Sequence, residues 1–286
     1  MISLKGKVAL VTGGGAGIGK AIAESLGEIG AKIVIGEIDA KRLETTTASL
    51  TAAGVECLGV KADVTKAQEV TDLIAAIERK FGRLDILVNN VGDFLGIKKP
   101  FVDTTEDDWQ RLYDINLRHI LLVTRASIPL MQRGGAGGSI INISTIEAFR
   151  GIPMASIYST FKAAITGFTK TMALELAPDG IRVNAIAPET TESEQVKVSQ
   201  WVPPEYKPHI KNWIPLGRFG KPSDVAGCAV FLATDLSAWV TGTTIHLDGG
   251  VLAACGYYRL PTGGWTHNPI IVDDGYTGLR RKPAGS

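Results

Sequence analysis

The sequence predicts a doubly wound α/β fold, one parallel sheet of seven strands covered on both faces by helices. Three observations predict it. Seven short apolar runs alternate with helical patterns along the chain, and continuous apolar runs belong to strands buried on both faces. A glycine-rich turn joins the first run to the first helical pattern. No internal repeat and no interdomain linker interrupts the alternation. Residues 1–250 therefore read as one domain, and residues 251–286 as a C-terminal extension.

The runs are Val8–Val11, Ala31–Ile35, Glu56–Val60, Ile86–Val88, Ser139–Ile143, Val183–Ala187 and Thr244–Leu247. Helix starts are marked between them. Thr65 to Gln68 has the spacing of a capping box before the Val70, Leu73, Ile74, Ile77 stripe, and Thr105 to Asp108 opens another helix. Two segments break the rhythm. Residues 189–216 are polar and interrupted by proline but carry Trp201, Tyr206 and Trp213, as a substrate lid would. The extension is rich in Gly and Pro, aromatic over 257–276 and then flexible over 277–286.

Composition excludes several function classes. Thirty basic and twenty-nine acidic residues give a formal net charge of +1, which offers no footprint for nucleic acid or an anionic membrane. Three widely spaced cysteines, Cys57, Cys228 and Cys255, argue against a disulfide framework or a zinc site and fit a reduced, cytoplasmic setting. The start of the chain lacks the basic and apolar regions of a signal peptide, and no stretch approaches the ~18 apolar residues of a membrane helix.

After the first strand comes Thr12-Gly13-Gly14-Gly15-Ala16-Gly17-Ile18-Gly19, leading into the helical pattern Ala21, Ile22, Leu26. Glycines there permit a tight turn and a close backbone approach to a pyrophosphate at a helix N-terminus. A Gly-Lys-Ser/Thr ending is absent, which disfavours a nucleoside triphosphate. The second strand ends in Gly36-Glu37-Ile38-Asp39, about twenty residues past the glycines, where a carboxylate accepts hydrogen bonds from ribose hydroxyls. Such a carboxylate repels a 2′-phosphate, and Ala16 supplies no basic side chain to hold one. NAD is therefore favoured over NADP, with Lys41 and Arg42 read as a solvated first helical turn.

Further along, Tyr158 and Lys162 lie four residues apart in a helical pattern, which stacks them on one face. An ammonium beside a phenol favours the phenolate, so the pair reads as a proton-transfer site.

Taken together, these motifs resemble the classical short-chain dehydrogenase/reductase family from about Leu4 to Gly250. The likeness rests on the Thr12 to Gly19 loop, Asp63-Val64, Asn89-Asn90-Val91-Gly92, Asn116, Ser144-Thr145 and Tyr158 to Lys162, in that order. The resemblance implies a metal-free oxidoreductase and a homotetramer. It assigns Asp63 to the adenine amino group, Val64 to the adenine ring, and Asn90 and Gly92 to close backbone passage by the ribose. Tyr158 becomes the general acid/base. Lys162 holds the nicotinamide ribose and lowers the phenol pKa, and Asn116 positions a water that links Lys162 to solvent.

Three departures from the family pattern stand out. The substrate-orienting serine is expected thirteen residues before the tyrosine, and that position is Thr145; Ser144 is the reserve. Adjacent strand-end residues face opposite ways, so only one can serve. The usual Pro-Gly after the sixth strand is Pro188-Glu189, whose carboxylate either reshapes the nicotinamide end of the pocket or faces outward. Ser193, with Thr190 and Thr191, supplies donors for the carboxamide. The extension is the third departure, and it is expected to cover a subunit interface or a substrate mouth.

These features point to a dehydrogenase of secondary alcohols, or a reductase of their ketones, with a fairly apolar substrate. Phe149, Ile152, Met154, Trp201 and Trp213 fall where relatives shape the pocket. Glu147 either binds a polar substrate group or faces solvent. One alternative is a 3-oxoacyl thioester reductase using NADPH, which Glu37 opposes. Another is an NAD-binding sensor or scaffold without turnover.

Overall fold

The computed structural model describes residues 2–135, 137–194, 196–198, 202–260 and 264–267. Seven strands form one sheet: β1 (Val8–Thr12), β2 (Lys32–Glu37), β3 (Cys57–Lys61), β4 (Ile86–Asn89), β5 (Gly138–Ile143), β6 (Ile181–Pro188) and β7 (Thr244–Leu247). All neighbours are parallel, in the order β3-β2-β1-β4-β5-β6-β7. Each strand lies within two residues of its predicted run. Tyr258–Arg259 (β8) and Trp265–Thr266 (β9) pair as a separate antiparallel ribbon.

Alternation along the central strands explains the three layers. Val8, Leu10 and Val34 pack with residues of α3 (Ala67–Phe81), α5 (His119–Arg133) and α6 (Ser156–Leu176) on one face. Ala9, Val11, Ile33 and Ile35 pack with α1 (Gly17–Glu28) and, further along the sheet, a helix at Pro222–Ala233 completes the other face. Strand order reverses direction between β1 and β4, and ligands of such sheets bind outside the carboxyl ends of the strands at that switch point.

The two predicted helix starts fare differently. At α4 (Glu106–Tyr113), Thr105 Oγ1 accepts from the Asp108 N–H at 3.2 Å and the Asp108 carboxylate accepts from the Thr105 N–H at 2.8 Å. The box expected at Thr65 does not form. The nearer Asp63 carboxylate takes both the Thr65 N–H, at 2.9 Å, and its hydroxyl, at 2.7 Å. Gln68 turns instead to Asp72, and Lys66 caps α3 without a side-chain bond. A short aspartate turn outcompetes the cap.

Within the 189–216 segment, helix α7 (Ile210–Trp213) is followed by the buried Ile214, which packs with Ile146, Ala187 and Val251 beyond the strand ends. The extension folds back on this segment, where Arg259 donates to the Pro215 carbonyl at 3.2 Å.

Candidate active site

The glycine loop is held from two sides. The Asn90 side-chain amide donates to the carbonyls of Thr12 at 3.1 Å and Gly13 at 3.3 Å. On the opposite side, the Thr46 hydroxyl donates to the Gly15 carbonyl at 2.8 Å. Gly19, in the first turn of α1, lies so close to the loop that a Cβ there would collide with the Gly13 carbonyl. Ile18, in the first turn of α1, packs on the core, and Gly17 lies against Ser193, 3.3 Å from the Ser193 Cβ to where a side chain would start. The 189–216 segment thus reaches over the loop.

Glu37 is buried at the end of β2, where its carboxylate accepts from the Gly15 and Asp39 N–H groups, each at 3.1 Å. These two bonds fix the carboxylate beside the glycine loop. Asp63 and the buried Val64 follow β3 on the same edge of the sheet. Loop, helix N-terminus and carboxylate make a cradle that fits a dinucleotide.

Asn116 is fully buried inside a single π-helical turn, Asp114–Arg118, between α4 and α5. Such turns often occur at functional sites. Its amide accepts from the Asp93 N–H at 3.1 Å and donates to the carbonyls of Asp93 at 2.8 Å and Leu112 at 3.0 Å. This pins the backbone after β4 beside Lys162. The Lys162 ammonium is buried there and donates to the Ile143 carbonyl at 3.3 Å. Burial lowers its pKa to about 8, against a smaller opposing pull from Asp93. His119, one turn on, is neutral, with burial and then the Lys162 charge pushing its pKa down to about 3.

Tyr158 stacks on Phe94 with ring centroids 3.8 Å apart, and the Lys162 ammonium lies 5.8 Å from its ring centroid. The Thr145 hydroxyl lies near enough to the phenol to pull its pKa down, against the larger upward push of burial. Thr145 also donates to the Pro188 carbonyl at 3.3 Å. Ser144 faces the other way, its hydroxyl donating to the Lys162 carbonyl at 3.1 Å. The phenol departs from expectation in one respect: its pKa is raised, first by burial and next by the Glu147 carboxylate, rather than lowered by Lys162. Desolvation disfavours the phenolate, and no lowering by the Lys162 ammonium offsets it.

Glu189 turns inward. It is buried and receives Arg150 Nη2 at 2.7 Å, while its other oxygen accepts from the Thr190 N–H at 2.6 Å and hydroxyl at 2.8 Å. Thr191 donates to the Glu189 carbonyl, and the Ser193 hydroxyl accepts from the Val196 N–H. Arg150 also grips Glu147, with Nη2 at 2.8 Å from one oxygen and Nε at 3.3 Å from the other. Glu147 is therefore ion-paired and not simply turned to solvent. Trp213 is 41% exposed and packs edge-on against Phe219, whereas Trp201 lies outside the described residues.

Sequence reasoning missed Phe94, Asp93, His119 and Arg150. Only Arg150 carried a signal, an opposite charge three residues after Glu147. Met154, just before α6, adopts a left-handed backbone at φ 68°, which no residue type at that position announces.

Comparison with known proteins agrees with this geometry. Residues 13–252 match a family model described as enoyl-(acyl carrier protein) reductase. The 3-oxoacyl-[acyl-carrier-protein] reductase of Synechocystis is 39% identical, over 88% of this chain and 99% of its own. Galactitol 2-dehydrogenase of Agrobacterium fabrum is 36% identical, over 86% of this chain and 98% of its own. Among solved structures, a 7α-hydroxysteroid dehydrogenase complexed with NADH and 7-oxo glycochenodeoxycholic acid superposes with a TM-score of 0.81 at 32% identity, covering 87% of this chain and 95% of that one. With the sheet order, the glycine loop and the Tyr158–Lys162 pair, these matches show that the chain belongs to the short-chain dehydrogenase/reductase family.

Proposed function

We propose that the protein is an NAD-dependent dehydrogenase of secondary alcohols, or a reductase of the matching ketones, whose substrates have a fairly apolar body. The observation that carries this reading is the convergence of Tyr158, Thr145 and Lys162 at the ends of β5 and α6, beside a glycine loop braced by Glu37. When bound, the cofactor supplies the hydride acceptor or donor.

The chain's own residues handle the proton. In the oxidative direction Tyr158 takes the substrate hydroxyl proton, and in reduction it returns it. Thr145 donates a hydrogen bond to the substrate oxygen and holds it against the phenol. A phenol raised by burial is a good acid-side resting state; the Lys162 ammonium, 5.8 Å from the ring centroid, stabilises the phenolate as it forms. Asn116 is committed to the Asp93 backbone, so its part is to hold that segment, with Gly92, against Lys162.

A second reading, reduction of 3-oxoacyl thioesters with NADPH, is favoured by the Synechocystis relative. The position of Glu37 opposes it, because a carboxylate against a 2′-phosphate costs several kcal/mol, about a hundredfold or more. The test is to follow reduced-cofactor absorbance with a panel of secondary alcohols, ketones, steroids and hydroxyacyl thioesters, with both cofactors. Turnover of alcohols or ketones with NAD(H) supports the first reading. Preference for NADPH with a 3-oxoacyl thioester replaces it with the second.

A further inference from the structure

Arg150 joins two carboxylates from different parts of the chain. Glu147 sits in the single helical turn that follows β5, and Glu189 follows β6. Both are largely withdrawn from water, with side chains 12% and 5% exposed. Two carboxylates and one guanidinium leave one excess negative charge, and a buried charge of that kind is costly unless further donors meet it.

The two carboxylates differ in what they have left to offer. Glu189 already takes three donors, one from Arg150 and two from Thr190. Glu147 takes one guanidinium donor on each oxygen, and each carboxylate oxygen has two lone-pair sites. Two acceptor sites remain on Glu147 and one on Glu189, so the larger spare capacity resides on Glu147. That residue is tied to the reacting centre: its N–H donates to Thr145 Oγ1 at 3.4 Å, and its carbonyl accepts from Ser159, next to Tyr158, at 3.1 Å.

We propose that Glu147 is the specificity-determining residue of the site, accepting a hydrogen bond from a second, uncharged hydroxyl or N–H near the reacting carbon and excluding substrates with an anion there. The proposal rests on Tyr158 and Thr145 gripping the reacting oxygen. Arg150 is the positioning residue, because its fork fixes Glu147 while Glu189 anchors the guanidinium from β6. The backbone bonds of Glu147 to Thr145 and Ser159 hold it beside the phenol, whose pKa its charge pushes up. The substrate class is thus an alcohol with an otherwise apolar body and one further neutral donor.

The test compares 2-butanol, 2,3-butanediol, 1,3-butanediol and 3-hydroxybutanoate in the full-length protein with NAD. Relative kcat/KM is measured together with calorimetric binding to the NAD complex, and both are repeated in Glu147→Met and Glu147→Gln. A hydrogen bond to a charged acceptor gives at least one diol an advantage of about tenfold or more over 2-butanol in the wild type, and 3-hydroxybutanoate a comparable disadvantage. In Glu147→Met the diol advantage falls to about threefold or less, and in Glu147→Gln the anion penalty shrinks. Equal treatment of all four compounds by the wild type overturns the proposal, as does a diol advantage that survives both substitutions. Discrimination in binding without turnover of any compound upholds the proposal and counts against the alcohol dehydrogenase reading instead.

Discussion

Gly92 and Lys162 occupy one space: a Cβ on Gly92 would stand 2.6 Å from the Lys162 ammonium nitrogen and 3.2 Å from Asn116 Oδ1. The glycine after β4 therefore makes room for the Lys162 ammonium. Gly92→Ala is expected to displace the ammonium and lower kcat by about tenfold to a hundredfold. Cofactor affinity measured by fluorescence is expected to change less than kcat. An alanine variant with wild-type kcat would show that the ammonium does not need this position.

Burial makes Lys162 a burden on the fold. Its pKa is lowered to about 8 from 10.5, so between those values the unfolded chain binds more protons than the folded one. Stability contributed through this group rises with pH across that window, and the full penalty is present below pH 8. Lys162→Met is expected to stabilise the cofactor-free protein by on the order of 2 kcal/mol at pH 7 while abolishing turnover. The gain shrinks as pH rises toward 10.5 and is lost above it, where wild-type Lys162 is neutral in both states. Denaturant melts at pH 7 and pH 10 check the sign.

The charge of Glu147 also acts on the phenol. Burial is the first cause of the raised Tyr158 pKa, Glu147 the second, and Asp93 adds to it from the segment after β4. Lys162 and the Glu147-bound Arg150 are the opposing cations nearby. In the proposed mechanism oxidation needs the phenolate, so kcat/KM rises with pH below this raised pKa, and Glu147→Gln shifts that rising limb to lower pH by about half a unit or more. A merely structural role would lower the rate at every pH and leave the position of the rise unchanged.

Much of the fold was legible because it depends on local pattern. Apolar runs such as Val8–Val11 are buried on both faces, and the Thr105–Asp108 box needs only four consecutive residues. The Tyr158–Lys162 spacing was equally local. The clamp was less legible, because Arg150 meets Glu189 across thirty-nine residues and only the folded sheet brings β5 and β6 side by side. The failed Thr65 box shows how one competing carboxylate, Asp63, redirects a local motif. The raised phenol pKa depends on burial by Phe94 and its surroundings, a quantity that no spacing encodes.

The central claim, that Tyr158 transfers the proton in an NAD-linked hydride transfer, is tested most directly by the initial rate of NADH formation in wild type and Tyr158→Phe. The substrate is the best secondary alcohol of the panel, with NAD binding measured in parallel. The account predicts that Tyr158→Phe binds NAD within a few-fold of wild type and loses about 10² to 10⁴ in kcat. A phenylalanine variant that retains the wild-type rate would contradict it.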